Sequence, residues 1–185
     1  MTSIGNSKQR TVANREETRM TGRPAAPLFA IAVAGAMFAL SASGTASQGA
    51  PAAQFTIVAA QGSANGELNF NGASKGKLVI TVPEGARVSL AFSNSGALPH
   101  SLQLIPTTKQ LPAMAASQPA FPGAETPDPL AGILKGKSQA AVFTATTPGR
   151  YLLICGFPGH AVLGMYATFV VSPSSAAKPS MLVAP

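Results

Sequence analysis

The chain predicts an all-β domain, a Greek-key β-sandwich of about eight strands, and three observations lead there. From Ala53 onward the apolar residues come in short period-two runs. Gly, Pro, Asn and Ser break those runs at close intervals. Nothing in this region combines helical spacing with the length of a normal helix. Many short strands separated by turn chemistry fit two packed sheets better than any layered αβ arrangement.

The expected strands are AQFTIVAA (53–60), GELNFNG (66–72), GKLVITVPEG (76–85), RVSLAFSNS (87–95), HSLQLIP (100–106), SQAAVFTAT (138–146), GRYLLIC (149–155) and MYATFVVS (165–172). Alternation is cleanest where Lys77, Val79 and Thr81 oppose Leu78, Ile80 and Val82. Pro106 to Lys137 is the exception. It holds Pro112, Pro119, Pro122, Pro127 and Pro129 and is too long for a simple hairpin. A connection of that length is expected to wrap the sandwich, with AGILKG (131–136) forming one turn of helix or an extended edge.

The ends read differently from this body. Residues 1–23 form a basic N-terminal region, with Lys8, Arg10, Arg15, Arg19 and Arg23 against Glu16 and Glu17. Residues 24–46 form an uncharged hydrophobic signal or anchor segment whose apolar heart is PLFAIAVAGAMFALSA, ending in small residues that fit a cleavage site. That heart is long for a signal h-region and short of the ~20 residues of a membrane span, so cleavage and retention both stay open. Either outcome leaves the basic residues inside and exports the rest, to the periplasm or the outer face of the cytoplasmic membrane. Residues 47–52 read as a linker, 53–172 as the working domain and 173–185 as a flexible tail.

Net charge needs the same division. Of the +7, the five basic and two acidic residues of the first region account for +3. The remaining basic residues, from Lys75 to Lys178, form no dense run and have no aromatic residues interleaved, which excludes nucleic acid as a partner.

One cysteine, Cys155, cannot close an internal disulfide in an exported domain. A lone thiol there is buried, paired between chains or bound to metal. Cys155 is followed by His160 and Met165 at intervals of five, in YLLICGFPGHAVLGMY. Thiolate, imidazole and thioether make up most of the ligand set of an electron-transfer copper centre, which takes two histidines and one cysteine with a long axial methionine. The second histidine must be His100, since the chain has only two. Met114 is a rival to Met165, but the spacing favours Met165.

With these residues in view, the region from about Phe70 to Val171 resembles a cupredoxin, and CGFPGHAVLGM with LPHSL upstream resembles sulfocyanin. The Cys-x4-His-x4-Met intervals are nearer to rusticyanin than to plastocyanin or azurin. The resemblance implies one type 1 copper, single-electron shuttling, a cytochrome or terminal oxidase as redox partner, and membrane attachment through an uncleaved N-terminal segment. It also implies that Ser101 ties the two ligand-bearing loops together. Gly156 and Pro158 are expected to let the ligand loop bend tightly. Phe157, Val162 and Leu163 are expected to exclude water and form an apolar docking patch around a surface-near His160.

Other readings use the same inventory less well. Copper enzymes that bind substrate at a second metal need further histidines, and none remains. A Cys-His hydrolase leaves Met165 and the apolar loop without a role. Copper storage or delivery stays open as the alternative, although exchangeable sites favour exposed Met and His clusters over a strand-borne cysteine.

Overall fold

Eight strands, five of them with largely alternating burial, build the domain seen in the computed structural model, which describes residues 52–174 and 176–185. The strands are β1 (Ala52–Ala59), β2 (Leu78–Pro83), β3 (Arg87–Asn94), β4 (Gln103–Pro106), β5 (Ser138–Thr144), β6 (Gly149–Ile154), β7 (Tyr166–Ser172) and β8 (Ser180–Val183). They form a three-stranded sheet in the order β1-β3-β5 and a five-stranded sheet in the order β4-β6-β7-β2-β8. Both sheets are mixed: β1 runs parallel to β3, and β2 parallel to β7, while β3–β5, β4–β6, β6–β7 and β2–β8 are antiparallel.

Side chains of one parity fill the space between the sheets. Val88, Leu90 and Phe92 of β3 face Ala167, Phe169 and Val171 of β7 across one core. The aromatic residues interlock there, with Phe121 stacked on Phe143 at 5.8 Å and Phe70 edge-on to Phe92 at 6.5 Å. Each such buried side chain contributes about 1.5–3 kcal/mol relative to exposure.

Two expectations are corrected. Residues 66–72 do not form a strand; they lie in a tight turn region, with Asn65, Gly66, Glu67, Asn71 and Gly72 all at positive φ. Each Asn-Gly pair imposes the left-handed backbone that a ladder cannot use. The flexible tail is the other. Ser180–Val183 pairs with β2 in the register Ile80↔Met181, and Ala184 N–H donates to Lys77 O at 2.7 Å. Without β8, β2 would be an open edge with unpaired backbone groups, which explains why so short an apolar run is held.

The long Pro106–Lys137 connection lies alongside β4 and the turn before it. Leu104 N–H donates to Ala124 O, Thr126 N–H to Leu102 O, and Ile133 and His100 exchange backbone hydrogen bonds. Within 131–136 Ile133 pairs as an edge, one of the two forms expected, while the single helix-like turn, closed by Gly132 N–H onto Asp128 O, spans 128–132 and so lies mostly before it. The basic region, the hydrophobic segment and residues 47–51 lie outside the described residues. Among the described residues no helix is long and apolar enough to cross a membrane.

Candidate metal centre

Cys155 follows directly on β6, and Met165 directly precedes β7, so adjacent antiparallel strands bring the two ends of the ligand loop together. Cys155 N–H donates to Met165 O at 3.1 Å, continuing the ladder past the named strands. Between them the chain coils: Leu163 N–H donates to Gly159 O and Met165 N–H to His160 O. That winding turns His160 inward, over Cys155. His100 arrives from the other side, on the bridge to Ile133 that precedes β4.

The result is a buried cluster of Cys155, His100 and His160, whose ligand atoms lie within 4.8 Å of one another. Cys155 Sγ stands 3.5 Å from His160 Nδ1 and 3.8 Å from His100 Nδ1. A small ion held ~2.3 Å from sulfur and ~2.0 Å from nitrogen, at ligand angles of 110–120°, would set S and N about 3.5–3.7 Å apart. The donor set therefore fits a metal of that size. The imidazole rings flank the same point, with centroids 4.9 Å apart and planes at 47°. Met165 is fully buried beside them, whereas Met114 is half exposed.

Burial controls the protons here. It pushes the Cys155 thiol up, and the backbone N–H groups of Ser101 and Phe157 act against that by favouring the thiolate. Burial, and then the neighbouring His160, lowers His100 to about 4; burial alone lowers His160. Both rings are thus neutral at pH 7 and free to ligate, as metal binding requires.

Ser101 joins the two ligand-bearing segments. Its hydroxyl accepts from Gly156 N–H at 2.9 Å and donates to Pro129 O at 2.7 Å, while its own N–H points at Cys155 Sγ at 3.4 Å. A serine at this place is readable from sequence only through family resemblance; the Pro129 partner is not readable at all. Gly156 is needed for close approach rather than for left-handed φ: a Cβ there would meet Ala115 Cβ and Pro129 O at 2.8 Å. Pro158 lies on the exposed outer turn of the loop.

Sequence reasoning missed a second clamp. Ala115 N–H donates to Gly156 O and Gly159 N–H to Ala113 O, so the long connection grips the ligand loop on both sides of Phe157. No side-chain signal marks such backbone contacts. His160 is also more enclosed than a turn histidine is expected to be, at 5% exposure, with Phe157 packed 4.8 Å from its ring. Val162 and Leu163 are the outward-facing apolar residues of the loop. Replacing Ser101 by Ala strands the buried Gly156 N–H and is expected to cost about 1–3 kcal/mol, read from the urea midpoint at constant m-value.

A buried thiol and two imidazoles at one end of a two-sheet Greek-key sandwich define a blue copper protein of the cupredoxin class, with copper as its cofactor. Residues 46–182 match the family model of the Sulfocyanin (SoxE) domain, and the chain belongs to that family. It is 38% identical over 123 residues to sulfocyanin from Sulfolobus acidocaldarius, a match covering 63% of this chain and 62% of that protein. It is 42% identical over 55 residues to auracyanin-B from Chloroflexus aurantiacus, covering 28% and 23%. The chain thus spans less than two thirds of the curated relatives it matches. Among solved structures, auracyanin A, a blue copper protein of the green thermophilic photosynthetic bacterium Chloroflexus aurantiacus, is 27% identical, with a TM-score of 0.48 over 65% of this chain and 99% of that one.

Proposed function

We propose that the protein is a one-electron carrier, not an enzyme, working outside the cytoplasm between respiratory partners, a cytochrome or terminal oxidase among them. The observation behind this reading is the closed cluster itself: Cys155 Sγ between two buried imidazole Nδ1 atoms, with both histidines of the chain used. No histidine remains for a second, substrate-binding metal. When bound, copper supplies the electron by cycling between Cu(II) and Cu(I).

The protein's part is to hold, shield and connect. Cys155, His100 and His160 would hold the copper as its strong ligands, with Met165 as a weak fourth. Ser101 and the Ala113–Ala115 clamp fix the loops, so that little moves when the charge changes. Phe157 keeps water from the inner side of His160. Val162 and Leu163, about half exposed, form a thin apolar cover through which the electron passes to a partner. A small apolar patch suits brief encounters that end after transfer. Export is supported by the basic and then apolar order of residues 1–46, which also fits attachment to the membrane if that segment is retained.

Copper loading tests the proposal. An intense thiolate-to-Cu(II) visible band with reversible one-electron reduction is expected; a colourless Cu(I) protein that exchanges metal rapidly would instead identify a storage or delivery protein. The docking patch has its own test. Leu163→Asp is expected to slow electron self-exchange, measured by NMR line broadening in mixed-oxidation samples, by about tenfold, or ~1.4 kcal/mol. The visible band should be unchanged, because Leu163 supplies no ligand.

A further inference from the structure

His100 is 1% exposed, and while its Nδ1 faces Cys155, its Nε2 is buried with no hydrogen-bond partner among the described residues. Once Nδ1 gives its lone pair to a metal, Nε2 carries the ring proton. A buried donor left unanswered costs about 1–3 kcal/mol, so a partner for it is expected. Metal-bound histidines usually donate this second N–H to a carboxylate, a carbonyl or water.

Gly96 shows where that partner stands. A Cβ on Gly96 would lie 3.2 Å from His100 Nε2 and 3.4 Å from Glu67 Oε2, so the imidazole edge and the carboxylate border the same small gap. Any larger residue at 96 would fill it, and would also strike Ala60 Cβ at 2.4 Å. Gly96 is pinned there by its N–H, which donates to Asn94 Oδ1 at 2.8 Å.

Glu67 is brought to the gap by an unusual backbone. Its φ is +67°, a left-handed conformation that costs a non-glycine residue on the order of 1 kcal/mol and persists where the surroundings enforce it. The enforcing contacts are local and long-range. Asn65 Nδ2 donates to Leu68 O at 2.9 Å and to Leu163 O at 3.0 Å, tying this turn to the ligand loop. Glu67 O in turn accepts from Asn69 N–H. The Glu67 side chain is otherwise exposed, so it is free to turn toward the gap.

We propose that Glu67 is a positioning residue of the metal centre: its carboxylate accepts the His100 Nε2–H across the open face of Gly96, fixing the ring's tautomer and orientation. This rests on the copper reading above. A carboxylate acceptor makes the imidazole a stronger donor, and its negative charge favours the more highly charged oxidised ion.

The copper-loaded full chain, with Glu67→Gln and Glu67→Gly, tests it. Glycine tolerates φ +67°, so the second variant keeps the turn. Both variants are expected to raise the reduced-to-oxidised ratio at fixed poise about tenfold, which is ~59 mV for one electron. In the diamagnetic reduced protein, the His100 Nε2–H resonance should exchange slowly with water in the parent and in Glu67→Gln, and rapidly in Glu67→Gly. A ratio changed less than about twofold, or an exchange rate equal in all three proteins, would overturn the assignment while the parent's visible band leaves the copper reading standing. A parent with no such band would overturn both.

Discussion

Replacing Cys155 by alanine is expected to abolish the visible absorption of the copper-loaded protein and its one-electron wave, while the sandwich stays folded. Cys155 is the single thiol of the chain, so no other residue can provide the strongly coupled sulfur. The fold, by contrast, does not depend on Sγ. Cys155 holds its place through its backbone N–H to Met165 O, and the neighbouring Gly156 is held by Ser101 and Ala115. Truncation removes one buried atom, a change on the order of 1 kcal/mol. Visible spectroscopy and voltammetry read the loss, and far-ultraviolet circular dichroism with a urea midpoint reads the fold. A Cys155→Ala protein that still shows an intense band would remove the thiolate from the centre and refute the reading. His100→Ala is the companion case, because it opens the cluster from the opposite loop and leaves Cys155 and His160 in place.

How much of this was legible depends on sequence distance. The Cys155–His160–Met165 spacing is a local property, and so are the alternating runs of β2, β3 and β7. His100 lies 55 residues upstream of Cys155, where no local spacing marks it and only the presence of just two histidines in the chain does. At residues 66–72 Leu68 and Phe70 keep a strand's alternation in the sequence, while Asn65-Gly66 and Asn71-Gly72 set the backbone against it. β8 is the opposite case: Met181, Leu182 and Val183 are too few to signal a strand, and become one because β2 offers an open edge. Parallel pairing of β1 with β3, the grip of Ala113 and Ala115 on the ligand loop, and the gap at Gly96 depend on which distant backbones meet. Side-chain patterns do not record that.

The copper-free protein is expected to lose stability steeply as pH falls from about 6.5 to 4. Burial and the adjacent His160 hold His100 at about 4, against its ordinary value of 6.5, and burial lowers His160 in the same direction. In this window the unfolded chain therefore takes up protons that the folded one refuses, and stability falls with every added proton. The full His100 shift corresponds to on the order of 3 kcal/mol, a large fraction of the 5–15 kcal/mol typical of a domain. The thiol sets the opposite boundary. Burial raises Cys155 above its ordinary 9.0, so above that pH the unfolded chain releases a proton that the folded one keeps, and stability falls again. Between these limits a plateau is expected. Copper loading should extend it downward, because His100 Nδ1 and His160 Nδ1 then have no free lone pair for a proton. Urea unfolding from pH 4 to 10, with and without copper, measures both limbs. A copper-free midpoint that stays flat from pH 7 to 4.5 would mean that the two rings accept protons in the folded state, and hence that the cluster opens to water far more readily than its burial implies.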